Sequence, residues 1–93
     1  MIAAGEQRFA PSDTLSWNDA GDELTLFDTV SQAYFALNGA AVVIWRELAA
    51  GRSVDETTDA LAVRFDAPRA AIAGDVLAFV GHAIERDLLV PLG

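Results

Sequence analysis

The sequence predicts an α+β fold, a three-stranded antiparallel sheet followed by three helices, and three observations carry that reading. Before residue 38 the chain is rich in Asp, Ser, Thr and Asn, and its apolar residues come in short alternating clusters separated by turn signals. After residue 38, Ala, Val, Leu and Ile recur at helical spacing. The chain has 93 residues and shows no repeat and no linker, so a single domain over 1–93 is expected, with residues 1–10 flexible.

The first strand is expected around Asp13-Thr14-Leu15-Ser16-Trp17, where polar and apolar residues alternate, and Asn18-Asp19-Ala20-Gly21-Asp22 reads as a hairpin loop. Glu23-Leu24-Thr25-Leu26-Phe27-Asp28 alternates again and gives the second strand, after which Thr29-Val30-Ser31-Gln32 turns the chain. The third strand is Ala33-Tyr34-Phe35-Ala36-Leu37; its period of two puts Ala33, Phe35 and Leu37 on one face and Tyr34 and Ala36 on the other. Such a meander is stable only with one face covered, and the helices must cover it.

Asn38 is the expected N-cap of the first helix, whose stripe is Ala41, Ile44, Trp45 and Leu48 and whose end is Gly51 at C′. Ser53-Val54-Asp55-Glu56 is a capping box that opens the second helix, with Val54, Thr58, Leu61 and Phe65 on its apolar side. Pro68 breaks that helix and suits the first turn of a third, running to about Asp87. Ile72, Val76, Phe79 and Ala83 form one stripe on it, and Ala73, Leu77, Val80 and Ile84 form a second beside it. Two stripes are more than a single core contact requires.

Composition narrows the function. A domain of this size hides only about 60–65% of its unfolded surface, so most apolar residues are needed for the core and a large catalytic cavity is not expected. Fourteen acidic residues against six arginines, with no lysine, give a net charge of -8, which repels phosphate backbones and anionic lipid. Cysteine is absent, which removes disulfides and thiolate chemistry. His82 is the single histidine, read as a surface residue on the polar side of the third helix, and Asp55 and Glu56 suit the positive end of the second helix dipole. No nucleotide-binding, metalloprotease or EF-hand motif is present, so no catalytic residue, metal site or cofactor is expected and the chain reads as a binding module rather than an enzyme. The N-terminus has no signal-peptide pattern and no apolar run approaches a membrane span, so a cytoplasmic location is expected, with neither nucleic acid nor membrane as partner.

Size and acidity are similar to those of carrier proteins, but Asp13-Thr14-Leu15 has threonine where their prosthetic arm needs serine. The three helices with a short second element resemble a winged helix-turn-helix, which makes a DNA-binding transcription regulator the alternative function. Against it, the third helix carries only Arg69 and Arg86, near opposite ends.

Tyr34-Phe35-Ala36-Leu37-Asn38, Ile44-Trp45-Arg46-Glu47-Leu48, Gly51-Arg52-Ser53-Val54, Phe65-Asp66, Asp75-Val76-Leu77-Ala78-Phe79-Val80 and Asp87-Leu88-Leu89, in this order and spacing, resemble the PqqD family. The resemblance runs from about Leu24 to Val90. Asp87 departs from it where the family often has glycine, and Ala83 where a larger apolar residue is common.

The resemblance implies a winged helix-turn-helix-like domain that binds the leader of a ribosomally synthesised, post-translationally modified peptide. The domain presents that precursor peptide to a modifying enzyme, such as a leader peptidase in lasso-peptide biosynthesis or a radical enzyme in quinone biosynthesis. Arg46-Glu47-Leu48 and Asp75 to Phe79 look more like the lasso-peptide branch. The implied peptide-binding residues are Ala33, Tyr34, Phe35, Ala36 and Leu37 on the third strand, with Ala73, Leu77, Val80, Gly81 and Ile84 on the third helix. An independent physical expectation agrees: a sheet edge offers unpaired N–H and C=O groups to an extended peptide, and an adjacent apolar stripe offers pockets for alternate side chains. Phe35, Leu37, Ile44, Trp45, Leu48, Leu61, Val76 and Phe79 are the expected core.

Overall fold

Three antiparallel strands and three helices are present in the expected order in a computed structural model of the chain, which describes residues 4–92. A 3₁₀ turn (Ala4–Glu6) leads into β1 (Arg8–Pro11), β2 (Leu15–Asp19), β3 (Glu23–Asp28) and β4 (Tyr34–Asn38). The helices α1 (Ala40–Ala49), α2 (Val54–Phe65) and α3 (Arg69–Glu85) follow, and β5 (Leu89–Leu92) ends the described chain. The meander has the order β2-β3-β4, with Leu26 opposite Trp17 on one side and Phe35 on the other. Leu24 and Leu26 therefore point the same way as Phe35 and Leu37. They meet Ile44, Trp45 and Leu48 of α1, Leu61 of α2 and Val76 of α3 in one core. Each such side chain, removed from water, contributes about 1.5–3 kcal/mol.

Two strands were not expected. β1 and β5 pair antiparallel as a separate sheet, with Phe9 opposite Pro91 and Ala10 opposite Val90. Arg8, Phe9 and Ala10, inside the segment 1–10 expected to be flexible, lie in this paired strand; residues 1–3 lie outside the described residues. The physical reason is Phe9, whose side chain is only 3% exposed and belongs to the main core. Around it, Arg8 donates to the Gly51 carbonyl at 2.7 Å and to Glu56 Oε1 at 2.8 Å, and the Gln7 carbonyl accepts the Val54 N–H at 3.1 Å. The N-terminal strand braces the α1–α2 junction.

Local capping is mostly as expected. The Ser53 hydroxyl accepts the Glu56 N–H at 3.1 Å and the Glu56 carboxylate accepts the Ser53 N–H at 2.8 Å, completing the capping box. Gly51 at φ 91° closes α1: its N–H reaches Leu48 O and the Arg52 N–H reaches Glu47 O, the paired bonds of a Schellman end. The helix start differs. Asn38 stays in β4 opposite Glu23, and Gly39, at φ 58°, occupies the N-cap without a side-chain bond. A left-handed backbone turn there suits glycine better than asparagine. Phe65, expected on the buried side of α2, is exposed at its C-terminal end, and Thr57 is buried in the helix instead.

The first hairpin also runs longer than expected, since Asn18 and Asp19 belong to β2 rather than to the loop. Arg46 of α1 explains this by gripping Asp19, with Nε to Oδ2 at 2.7 Å and Nη2 to Oδ1 at 2.5 Å, and by donating to the Gly21 carbonyl at 2.7 Å. The Arg46 guanidinium, helped by the Gly21 N–H, holds the Asp19 carboxyl down at about 2. Because that value is depressed from 3.8, the clamp is complete above 3.8 and is lost as pH falls towards about 2.

Replacing Phe9 by Ala is predicted to lower the unfolding free energy by about 3–5 kcal/mol in urea denaturation. A change below about 0.5 kcal/mol, as for an ordinary surface position, would show that β1 is not part of the core.

Candidate groove at the edge of the sheet

β4 forms one edge of its sheet, and the hydrogen-bond alternation decides which of its groups are free. Asp28 donates its N–H to the Ala33 carbonyl at 2.9 Å, which places Ala33 in a hydrogen-bonded pair. In an antiparallel ladder such pairs alternate, so Phe35 and Leu37 also bond towards β3, while Tyr34 and Ala36 direct N–H and C=O away from the sheet. The side chains alternate in the other sense: Phe35 and Leu37 point to the core, and Tyr34, 66% exposed, stands on the outer face opposite Phe27.

The turn that delivers β4 is built by Asp28. Its buried carboxylate accepts the Val30 N–H at 2.9 Å, the Ser31 N–H at 3.3 Å and the Thr14 hydroxyl at 3.2 Å. The Val30 N–H, above all, holds this carboxyl below the usual range against the opposing effect of burial. Asp28 therefore ties the β3–β4 turn to the segment entering β2.

A groove of about 300 Å³ opens between β4 and α3. Phe35 and Leu37 form its sheet wall, and Phe79, His82, Ala83 and Arg86 form its helix wall. Ala41 and Leu88 complete the lining. Ala83 is almost fully buried, so its short side chain leaves the space that a larger apolar residue would fill. Leu88 reaches the groove because the chain reverses at Asp87, whose φ of 57° explains why glycine suits this position; the Leu88 N–H bonds Ala83 O at 2.8 Å.

The expected residues divide. Tyr34, Phe35, Ala36 and Leu37 lie on β4, and Ala33 sits just before it. On α3 the second stripe does not line the groove. Val80 is 8% exposed and belongs to the core, Leu77 and Ile84 are exposed, Ala73 is half-buried, and a Cβ built on Gly81 would meet only open space. The helix wall is the first stripe at Phe79 and Ala83, joined by His82 and Arg86. Phe35, Leu37 and Phe79, expected in the core, are half-buried against it and form the wall. His82 is exposed as expected but faces the groove. Spacing could have found this wall, because positions 79, 82, 83 and 86 follow the helical pattern i, i+3, i+4, i+7; sorting by apolarity hid it.

A second hollow, of about 290 Å³, lies among Gly21, Gly39, Val43, Arg46 and Arg64 and includes no residue of the free strand edge. Four of the six arginines, Arg8, Arg46, Arg52 and Arg69, pair with carboxylates, so the described residues present no row of free cations for a phosphate backbone. Among the described residues no helix is long and apolar enough to cross a membrane.

Comparison with known proteins gives four matches. Residues 23–89, from β3 to the start of β5, match the family model described as coenzyme PQQ synthesis protein D (PqqD). A PqqA binding protein of Gluconobacter oxydans (strain 621H) is 46% identical over 55 residues, which are 59% of this chain and 57% of that protein. The match thus spans little more than half of that relative's length. Among solved structures, TbiB1 in complex with the TbiA(beta) leader peptide superposes with a TM-score of 0.82 at 25% identity, covering 86% of this chain and 93% of TbiB1. A lasso peptide synthetase B1 complexed with its leader peptide shares the fold, with a TM-score of 0.82, 24% identity and coverage of 90% and 99%.

Val80→Ala is predicted to cost about 2 kcal/mol in thermal or urea unfolding, and Leu77→Ala less than about 0.5 kcal/mol. Equal costs would contradict the division of the second stripe between core and surface.

Proposed function

This chain belongs to the PqqD family, and on that premise we propose that it is a non-catalytic peptide-binding protein. It takes the leader of a ribosomally synthesised precursor peptide as an added strand on β4 and presents the remainder to a modifying enzyme. The observation that carries the reading is the coincidence of the free β4 edge with the apolar groove beside it. Outward N–H and C=O groups of Tyr34 and Ala36 supply main-chain bonds, and the groove between Phe35, Leu37 and Phe79 receives side chains from one face of the incoming strand. The relatives support the class of ligand: one is a PqqA binding protein and two are solved with leader peptides bound.

The likeness to TbiB1 and to a lasso peptide synthetase B1 favours a leader peptidase as the partner enzyme, the partner that the family resemblance implies for the lasso-peptide branch. The sequence match to the PqqA binding protein favours a second reading, in which the partner is a radical enzyme of quinone biosynthesis. In both, chemistry resides in the partner and this chain supplies recognition, in the cytoplasm where precursors are synthesised. A DNA-binding regulator has no support in the distribution of arginines.

The test is direct binding of a labelled leader peptide encoded beside this gene, measured by fluorescence anisotropy. We expect association at or below tens of micromolar. Ala36→Pro is expected to leave the far-ultraviolet circular dichroism unchanged and to abolish that binding, because proline removes an outward donor without touching the β3–β4 ladder. No association for any small precursor in the neighbourhood would refute the reading, and normal binding by folded Ala36→Pro would move the site away from β4.

A further inference from the structure

Arginines in this chain are outnumbered by acids, 6 against 14, and most are engaged. Arg8 pairs with Glu56, Arg46 with Asp19, Arg52 with Glu47, and Arg69 with Asp55 and Asp59. Among the described residues Arg64 and Arg86 form no ion pair. Arg64 lies over the Phe65 ring at 6.0 Å. Arg86 is different, because it lines the apolar groove, and its recorded side-chain partner is His82 Nδ1, one turn earlier, at 3.3 Å. Glu85 and Asp87 flank Arg86 in the sequence, yet neither pairs with it in the structure.

From this we infer that the groove selects a peptide with an acidic side chain, an Asp or Glu that pairs with Arg86 while neighbouring apolar side chains occupy the space between Phe35, Leu37 and Phe79. The inference rests on the reading of the β4 edge as the leader site. A guanidinium offers a planar fork that matches a carboxylate with two parallel bonds, and the apolar walls lower the competing hydration on one side. Strand geometry then restricts the sequence. Side chains that enter the groove come from alternate residues of the added strand, so the acid stands two or four residues from an apolar anchor. The rest of the surface has the opposite sign. With a net charge of -8 the domain does not attract an acidic peptide from a distance, so Arg86 acts as a local choice of register and not as a long-range steering charge.

The experiment is selection from a displayed library of random peptides on the full chain, on Arg86→Glu and on Ala36→Pro. The full chain is expected to enrich two apolar residues separated by one position, with Asp or Glu at a fixed even offset. Arg86→Glu is expected to keep the apolar pair and to enrich Lys or Arg at that same offset. In an enriched peptide synthesised on its own, changing the acid to its amide should weaken binding about fivefold, and Arg86→Gln should lose the same factor without adding to it. If the apolar pair is enriched with no charge preference, or if Arg86→Glu selects the same acid, the Arg86 inference fails while the groove stands. If Ala36→Pro enriches the same peptides, or if the full chain enriches none, the β4 reading fails and the Arg86 inference falls with it.

Discussion

A three-stranded meander cannot hold its shape in water unless one face is covered, and here the cover is α1. Leu24 and Leu26 share a core with Trp45 and Leu48, all four essentially without solvent contact. Trp17 adds an edge-on contact to Trp45 with ring centres 5.5 Å apart. Polar ties keep the sheet in register with that helix. Arg46 holds the end of β2 through Asp19, and Asp28 holds the turn between β3 and β4. With the sheet fixed from beneath and at both of these points, β4 becomes a rigid edge.

A rigid open edge is a hazard for most proteins, because it offers pairing to any extended chain. In this domain it coincides with an unfilled volume. α3 crosses beside β4, but Ala41 and Ala83 are too short to close the space between them. The resulting groove keeps the half-buried side chains of Phe35, Leu37 and Phe79 apolar and accessible together. These three residues thus serve the core and the groove together: they pack on the core with one side and face the groove with the other. The net charge of -8 discourages two copies from approaching edge to edge, since like potentials oppose their encounter.

Much of this was legible in the sequence where the determinants are local. The capping box at Ser53, the Schellman glycine at Gly51 and the alternation of Phe35 and Leu37 each depend on residues within a few positions, and each is present. The pairing of β1 with β5 was not legible, because it joins segments some eighty residues apart through a four-residue strand whose single large apolar side chain is Phe9. Asn38 looked like a better cap than Gly39 by side-chain chemistry; the backbone angle decided otherwise. The groove was half legible. Its strand wall follows from period two, but its helix wall mixes Phe79 and Ala83 with His82 and Arg86, whereas the uniformly apolar residues Leu77, Val80 and Ile84 lie on a different stripe of the helix.

The central claim is that the outward amides of β4 receive the peptide, and residue-resolved amide hydrogen exchange tests it most directly. In the free domain the N–H groups of Phe35 and Leu37 should exchange slowly, being bonded to β3, while those of Tyr34 and Ala36 exchange fast. Saturation with the leader peptide should protect Tyr34 and Ala36 selectively. Protection that appears on β2, or on α3 alone, with Tyr34 and Ala36 still exchanging fast, would contradict the account.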